Sequence, residues 1–258
     1  MVRMLLFVFI LWGIAIGQEK YDTLEQCVDT PEIKQRTTEK SYYGEILNRT
    51  DRVISGYDRG TNAHENIHMI NSHYSNKTSG RKRAFYITGE SRVFYTHQPK
   101  LFKNDVKSYV PKSVRGSRFQ LYLEGSPAWN DTPTYIMDEW VAYIGGGMVA
   151  VEDHGNGINK DKSDRMCGPL EFSVYTIALC MAIEEKDNKF WQEEKDFRNF
   201  VGKMLVKAED VFYKGRYIKD FRSSRQEGIL KALRTSEDAS RMRAFNRKWF
   251  GGAFLEDK

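Results

Sequence analysis

His64-Glu65-Asn66-Ile67-His68 constrains this 258-residue chain more than any other stretch, because its chemistry needs a helix. Residues four apart on an α-helix stand one above the other, so His64 and His68 can turn ring nitrogens toward a single ion. Glu65 lies beside that face, where it can exchange a proton with a water instead of binding the ion. Asn66 and Ile67 turn away, and Ile67, Ile70 and Tyr74 form the stripe that would pack the helix on a core. Thr61 or Asn62 can cap it, which predicts a helix from near Ala63 to around Ser75. The chain has only five histidines, so two at this spacing around a glutamate seldom coincide by accident. The bland alternative is a surface helix with two satisfied histidines.

Two imidazoles make half a metal shell. A third histidine further along the same stretch is not supplied: that position is Tyr74, and His73 misses it by one. The other source is an acid on a second helix. Asp138-Glu139-Trp140-Val141-Ala142-Tyr143 puts an acidic pair inside an otherwise apolar segment. Burying a carboxylate is costly unless it is paired or coordinates a metal. Glu139 would offer an oxygen to the ion, and Asp138 could instead orient a ligating histidine from behind. Tyr143, four residues beyond Glu139, shares its face.

On these residues the chain resembles a zincin metallopeptidase of the gluzincin type, in which HExxH supplies two histidines and a glutamate from a later helix completes the zinc shell. The resemblance spans roughly residues 61–144. It implies that His64, His68 and Glu139 bind Zn2+ and that Glu65 is the general base and acid; it favours Glu139 over Asp138. It also implies an α+β catalytic domain with a small antiparallel sheet, hydrolysing peptide bonds through a zinc-activated water. A tyrosine or histidine would polarise the carbonyl oxygen: Tyr143 or Tyr135, with His154 the next choice. A peptide or protein substrate could pair with a strand edge. In the family the sheet mostly precedes the HExxH helix, whereas here the clearest strand signals follow it. Two other readings compete: a secreted binding or structural protein with an incidental or retired metal site, and a metal-dependent hydrolase of non-peptide bonds.

The remaining sequence sets the frame. After Arg3, Met4 to Trp12 is an unbroken apolar run, and Ala15-Ile16-Gly17 ends it with small residues. That is the pattern of a signal peptide over residues 1–17, hence a secreted or periplasmic chain. The run is shorter than the roughly 20 apolar residues that span a bilayer, and no second run is expected to approach that length. In an oxidising compartment Cys27, Cys167 and Cys180 allow at most one internal pair. Cys167–Cys180 would close a short loop, while a buried Cys180 thiol is the alternative. Asn48, Asn76 and Asn130 each begin an N-glycosylation triplet.

Residues 18–60 read as an N-terminal extension, with a short helix around Leu24–Cys27 and β-type runs within 41–58. Residues 61–168 form the expected zinc-binding core. There, Ala84–Thr88 and Arg92–Thr96 read as a hairpin and Phe119–Leu123 as a third strand, from its period-two alternation. Tyr135–Ile144 reads as a helix stopped by Gly145-Gly146-Gly147. Residues 169–258 are patterned as helices. A chain with 40% hydrophobic and 13% aromatic residues buries a core. The 40 Lys+Arg and 35 Asp+Glu are interspersed, so the net charge of +5 marks no nucleic-acid surface. Oligomeric state leaves no legible trace.

Overall fold

The computed structural model describes residues 24–158, 163 and 165–257, and the expected signal segment lies outside them. Helices dominate, beside one three-stranded antiparallel sheet, which is an α+β arrangement. The sheet contains β1 (Cys27–Asp29), β2 (Arg83–Ile87) and β3 (Arg92–Thr96) in the order β1-β3-β2. β2 and β3 are the expected hairpin, with Phe85 opposite Phe94. Gly89 and Ser91, at φ 84° and 54°, make its reversal. Leu24–Cys27 is a turn and not a helix: Cys27 N donates to Leu24 O, and residues 27–29 then pair with β3.

The 41–58 segment departs from its β-type reading. It contains helix α1 (Tyr42–Arg49), which starts where the Ser41 hydroxyl accepts from Gly44 N at 3.0 Å. Asn48 is buried there, accepting from Arg36 N and Thr37 N, so it offers no glycan site in the folded protein. Helix α2 (Arg59–Lys77) begins earlier than its spacing suggested because Asp58 caps it. The Asp58 carboxylate accepts from Thr61 N at 3.1 Å and from the Thr61 hydroxyl at 2.7 Å. Ile67, Ile70 and Tyr74 form the buried stripe.

After the short helix α3 (Lys103–Lys107), Phe119–Glu124 forms a π-helical turn where a strand was expected. Alternation misled here. Phe119 and Leu123 are buried, but Leu121 is 59% exposed, so the apolar face follows a helical spacing. Helix α4 (Tyr135–Gly155) runs straight through the three glycines that were expected to stop it. They serve close packing instead. A Cβ on Gly145 would stand 2.2 Å from Ile67 Cδ1, and one on Gly146 would stand 2.7 Å from Gly60 O. On Gly147 it would meet Val211 at 2.9 Å. The penalty of about 1 kcal/mol per helical glycine is offset by letting α2 lie directly along α4.

Helix α5 (Cys167–Lys186) is buried from Cys167 through Ile183. By length and composition it could cross a membrane, which corrects the expectation that no second such run exists; 94% of its most apolar window is buried inside the protein. Cys167 and Cys180 lie on this one helix, about 20 Å apart at 1.5 Å per residue, so they cannot pair. Cys27 is buried as they are. Helices α6 (Asn188–Glu193), α7 (Lys195–Arg216), α8 (Ser224–Thr235) and α9 (Ser240–Phe250) make the helical C-terminal part. One continuous core runs from Leu24 to Leu255, so the described extension, the middle region and these helices share it.

Candidate metal centre

The glycine notch brings two helices into register, and with them the residues singled out by spacing. His64 and His68 project from α2 toward Glu139 on α4, and the three could hold one metal ion. His68 Nε2 stands 3.1 Å from His64 Nε2, and Glu139 Oε2 stands 3.4 Å from His64 Nε2 and 3.7 Å from His68 Nε2. Ligand atoms about 2.0–2.1 Å from a shared ion at tetrahedral angles are about 3.3–3.4 Å apart. The observed separations bracket that value.

The hydrogen bonding behind these atoms fixes what they offer. Asp138 Oδ2 lies 2.7 Å from His68 Nδ1, so the carboxylate accepts and Nδ1 carries the proton. The lone pair of neutral His68 is therefore on Nε2, facing His64. Asp138 is itself held by Asn71, whose Nδ2 donates to Oδ1 at 2.6 Å, while Asn71 Oδ1 accepts from Tyr86 N at 2.7 Å. Tyr135 donates its hydroxyl to Glu139 Oε1 at 2.7 Å. Glu139 Oε2 is buried and has no hydrogen-bond partner. Two imidazole nitrogens and a buried carboxylate oxygen thus converge on one point, an arrangement that a shared cation would satisfy.

The electrostatics agree. Burial opposes a charge on His68, but the Asp138 carboxylate and then Glu139 outweigh it and raise its pKa well above the ordinary value. Burial also pushes the Glu139 carboxyl up, yet the imidazoles of His64 and His68 beside it hold it well below the usual carboxylate range. The Tyr135 phenol is raised by burial and by Glu139, so it stays a donor. The Asp138 and Glu139 carboxylates favour positive charge beside them, as a proton on His68 or as a cation.

An open cleft of about 260 Å³ lies alongside, lined by His64, Glu65, Tyr143, Tyr122, Arg118 and Arg165 among others. Glu65 is half-buried there, and among the described residues no hydrogen bond or ion pair engages its carboxylate. The Tyr143 ring meets His64 edge-on at 4.5 Å and stacks on Phe172 at 4.9 Å. Its hydroxyl lies 3.4 Å from both Arg118 Nε and the Tyr122 hydroxyl.

Of the three carbonyl-polarising groups expected, Tyr143 lines the cleft, while the Tyr135 hydroxyl is committed to Glu139. His154 is not in a loop after the glycines; it ends α4, packed against Phe221 at 5.6 Å. His73 faces Asp51 at 3.3 Å, off the metal face, and His97 is exposed. Sequence reasoning missed Tyr122, hidden in a segment that read as a strand, Arg118 just before that segment, and Asn71, whose i+3 spacing from His68 was the available signal.

The hairpin does not offer the strand edge expected for substrate. β3 is central, and the outward N–H groups of β2 are taken by α2 side chains: Ala84 N by Ser75 Oγ at 2.9 Å and Tyr86 N by Asn71 Oδ1. No protein-family profile, curated protein or solved structure matches this chain, so its chemistry is read from these residues.

Proposed function

We propose that this protein is an exported zinc metallopeptidase of the gluzincin type, with a zincin-like arrangement of its HExxH helix against a glutamate-bearing helix. One observation carries the reading: His64 Nε2, His68 Nε2 and Glu139 Oε2 converge at ligand spacing beside a Glu65 carboxylate that no described residue engages. His64, His68 and Glu139 would hold the zinc. Bound there, zinc would supply Lewis-acid polarisation of a carbonyl and acidify a water. Glu65 takes the proton of the attacking water and hands it to the departing amine nitrogen. Asp138 keeps the His68 proton on Nδ1, which leaves Nε2 free to ligate. Tyr143, with Tyr122 beside it, provides hydroxyl donors on the cleft wall for the developing oxyanion. Export is carried by the Met4–Trp12 apolar run and the small residues that follow it.

The closed β2 edge favours a second reading, hydrolysis of compact, non-peptide amides or esters, since the hairpin edge expected to pair with an extended peptide is already taken. The test is turnover of unfolded protein and synthetic peptides by zinc-loaded protein. Glu65→Gln is expected to lower the rate about 10²–10⁴-fold while keeping its zinc. Stoichiometric zinc with no peptide cleavage, or full activity in Glu65→Gln, overturns the peptidase reading.

A further inference from the structure

Two of the prospective ligands, His68 and Glu139, are gripped from behind by a hydrogen bond, and the grip on Glu139 is unlike that on His68. A glutamate has three side-chain torsions, and a freely turning carboxylate can present either oxygen, or both, to an ion. Here it cannot turn freely. Tyr135 stands one helical turn before Glu139 on α4 and donates to Oε1 at 2.7 Å, so only Oε2 faces the imidazoles. The tyrosine is fixed in its turn. Its ring packs on Trp129 with centroids 5.0 Å apart, and Lys103 Nζ lies over that indole at 4.8 Å. Trp129 is itself buried. The arrangement links the 126–130 loop, through an aromatic pair and one hydrogen bond, to a single carboxylate oxygen.

We infer that Tyr135 is a positioning residue for the metal, holding Glu139 so that one chosen oxygen, Oε2, is presented alongside the two imidazoles. It acts through Glu139 and not on substrate, because its only hydroxyl proton is already committed. The inference rests on the metal reading of the site, though not on the reaction. It assigns Tyr135 the part for the glutamate that Asp138 has for His68.

Tyr135→Phe tests it, since the ring keeps its packing on Trp129 and only the hydroxyl is lost. Metal-free full-length protein would be titrated with Co2+, following both affinity and the visible absorption, which reports the donors around the ion. The wild-type chain is expected to bind one equivalent. Tyr135→Phe is expected to bind about 10–100-fold more weakly, as loss of a partner behind a ligand does, and with an altered absorption per bound ion. Melting of the metal-free proteins shows that both are folded. Affinity within twofold of wild type, or a weakened site with an unchanged spectrum, overturns the positioning role and leaves the metal site standing. No cobalt binding by the wild-type chain overturns the metal reading and this inference with it.

Discussion

Glu171 on α5 and Glu139 on α4 are buried carboxylates on neighbouring helices, 1% and 4% exposed, and the fold treats them in opposite ways. Glu171 is saturated by the protein. Its Oε2 meets Arg118 Nη1 at 3.0 Å and its Oε1 meets Arg225 Nη2 at 2.6 Å. Gly116 leaves room for this, since a Cβ there would stand 2.0 Å from Glu171 Oε1. Glu139 receives one hydroxyl on Oε1, and its other oxygen faces two nitrogens with no proton donor closer than a long contact. A structural carboxylate brings its cations from the chain. The carboxylate of a binding site leaves a positive charge to come from outside.

That contrast can be broken at its structural end with the largest effect. Glu171→Ala removes the buried carboxylate that Arg118 and Arg225 both meet and should lower stability by about 3–5 kcal/mol in urea unfolding. Zinc affinity of the protein that remains folded should change far less than stability does. A variant that unfolds at the wild-type midpoint would show that the ion pairs contribute nothing.

Asp138 sharpens the comparison from the site's side. In Asp138→Asn the new amide cannot accept from both Asn71 Nδ2 and His68 Nδ1, so one bond is lost or the His68 tautomer flips. Zinc affinity should fall about 10–100-fold, read by competition with a chromophoric chelator. Unchanged affinity would mean that His68 needs no partner behind it.

Asp58 lies between the extremes: its side chain is 31% exposed, it caps α2, and it pairs with Arg165. Burial pushes its carboxyl up, but hydrogen bonds from Thr61 and the Arg165 charge prevail and hold it below the usual range. A depressed carboxylate contributes stability above its unfolded pKa and loses it as pH falls through the folded one. Asp58→Ala should therefore lower stability by about 1 kcal/mol at neutral pH, and the gap to wild type should close under acid conditions. A gap independent of pH would contradict the linkage.

The site was more legible in sequence than the frame around it. HExxH speaks through helical spacing alone, and an acidic pair in an apolar segment marks itself, because buried charge requires a partner. Those two signals found His64, His68 and Glu139, with Asp138 as a possible orienting group. Features that depend on a neighbouring element stayed hidden. Gly145, Gly146 and Gly147 look like a helix stop until α2 is seen lying against them. Phe119–Leu123 alternates like a strand, yet Tyr122 belongs to the cleft wall and packs on Phe172 at 5.1 Å. Tyr135 was readable as a hydroxyl donor, though its acceptor is Glu139 and not a substrate. Ser75 and Asn71 closing the β2 edge could not be foreseen, because which helix face meets which strand is decided by packing.

Whether His64, His68 and Glu139 hold one ion decides what this site is. The direct measurement is an equilibrium zinc titration of metal-free full-length protein, wild type against Glu139→Gln. One tightly bound zinc is expected in the wild type. In Glu139→Gln affinity should fall by more than the 10–100-fold typical of a partner behind a ligand, because an ion-facing carboxylate oxygen has been lost. Zinc-free wild type at saturating metal, or equal affinity in the two proteins, would contradict a shared ion.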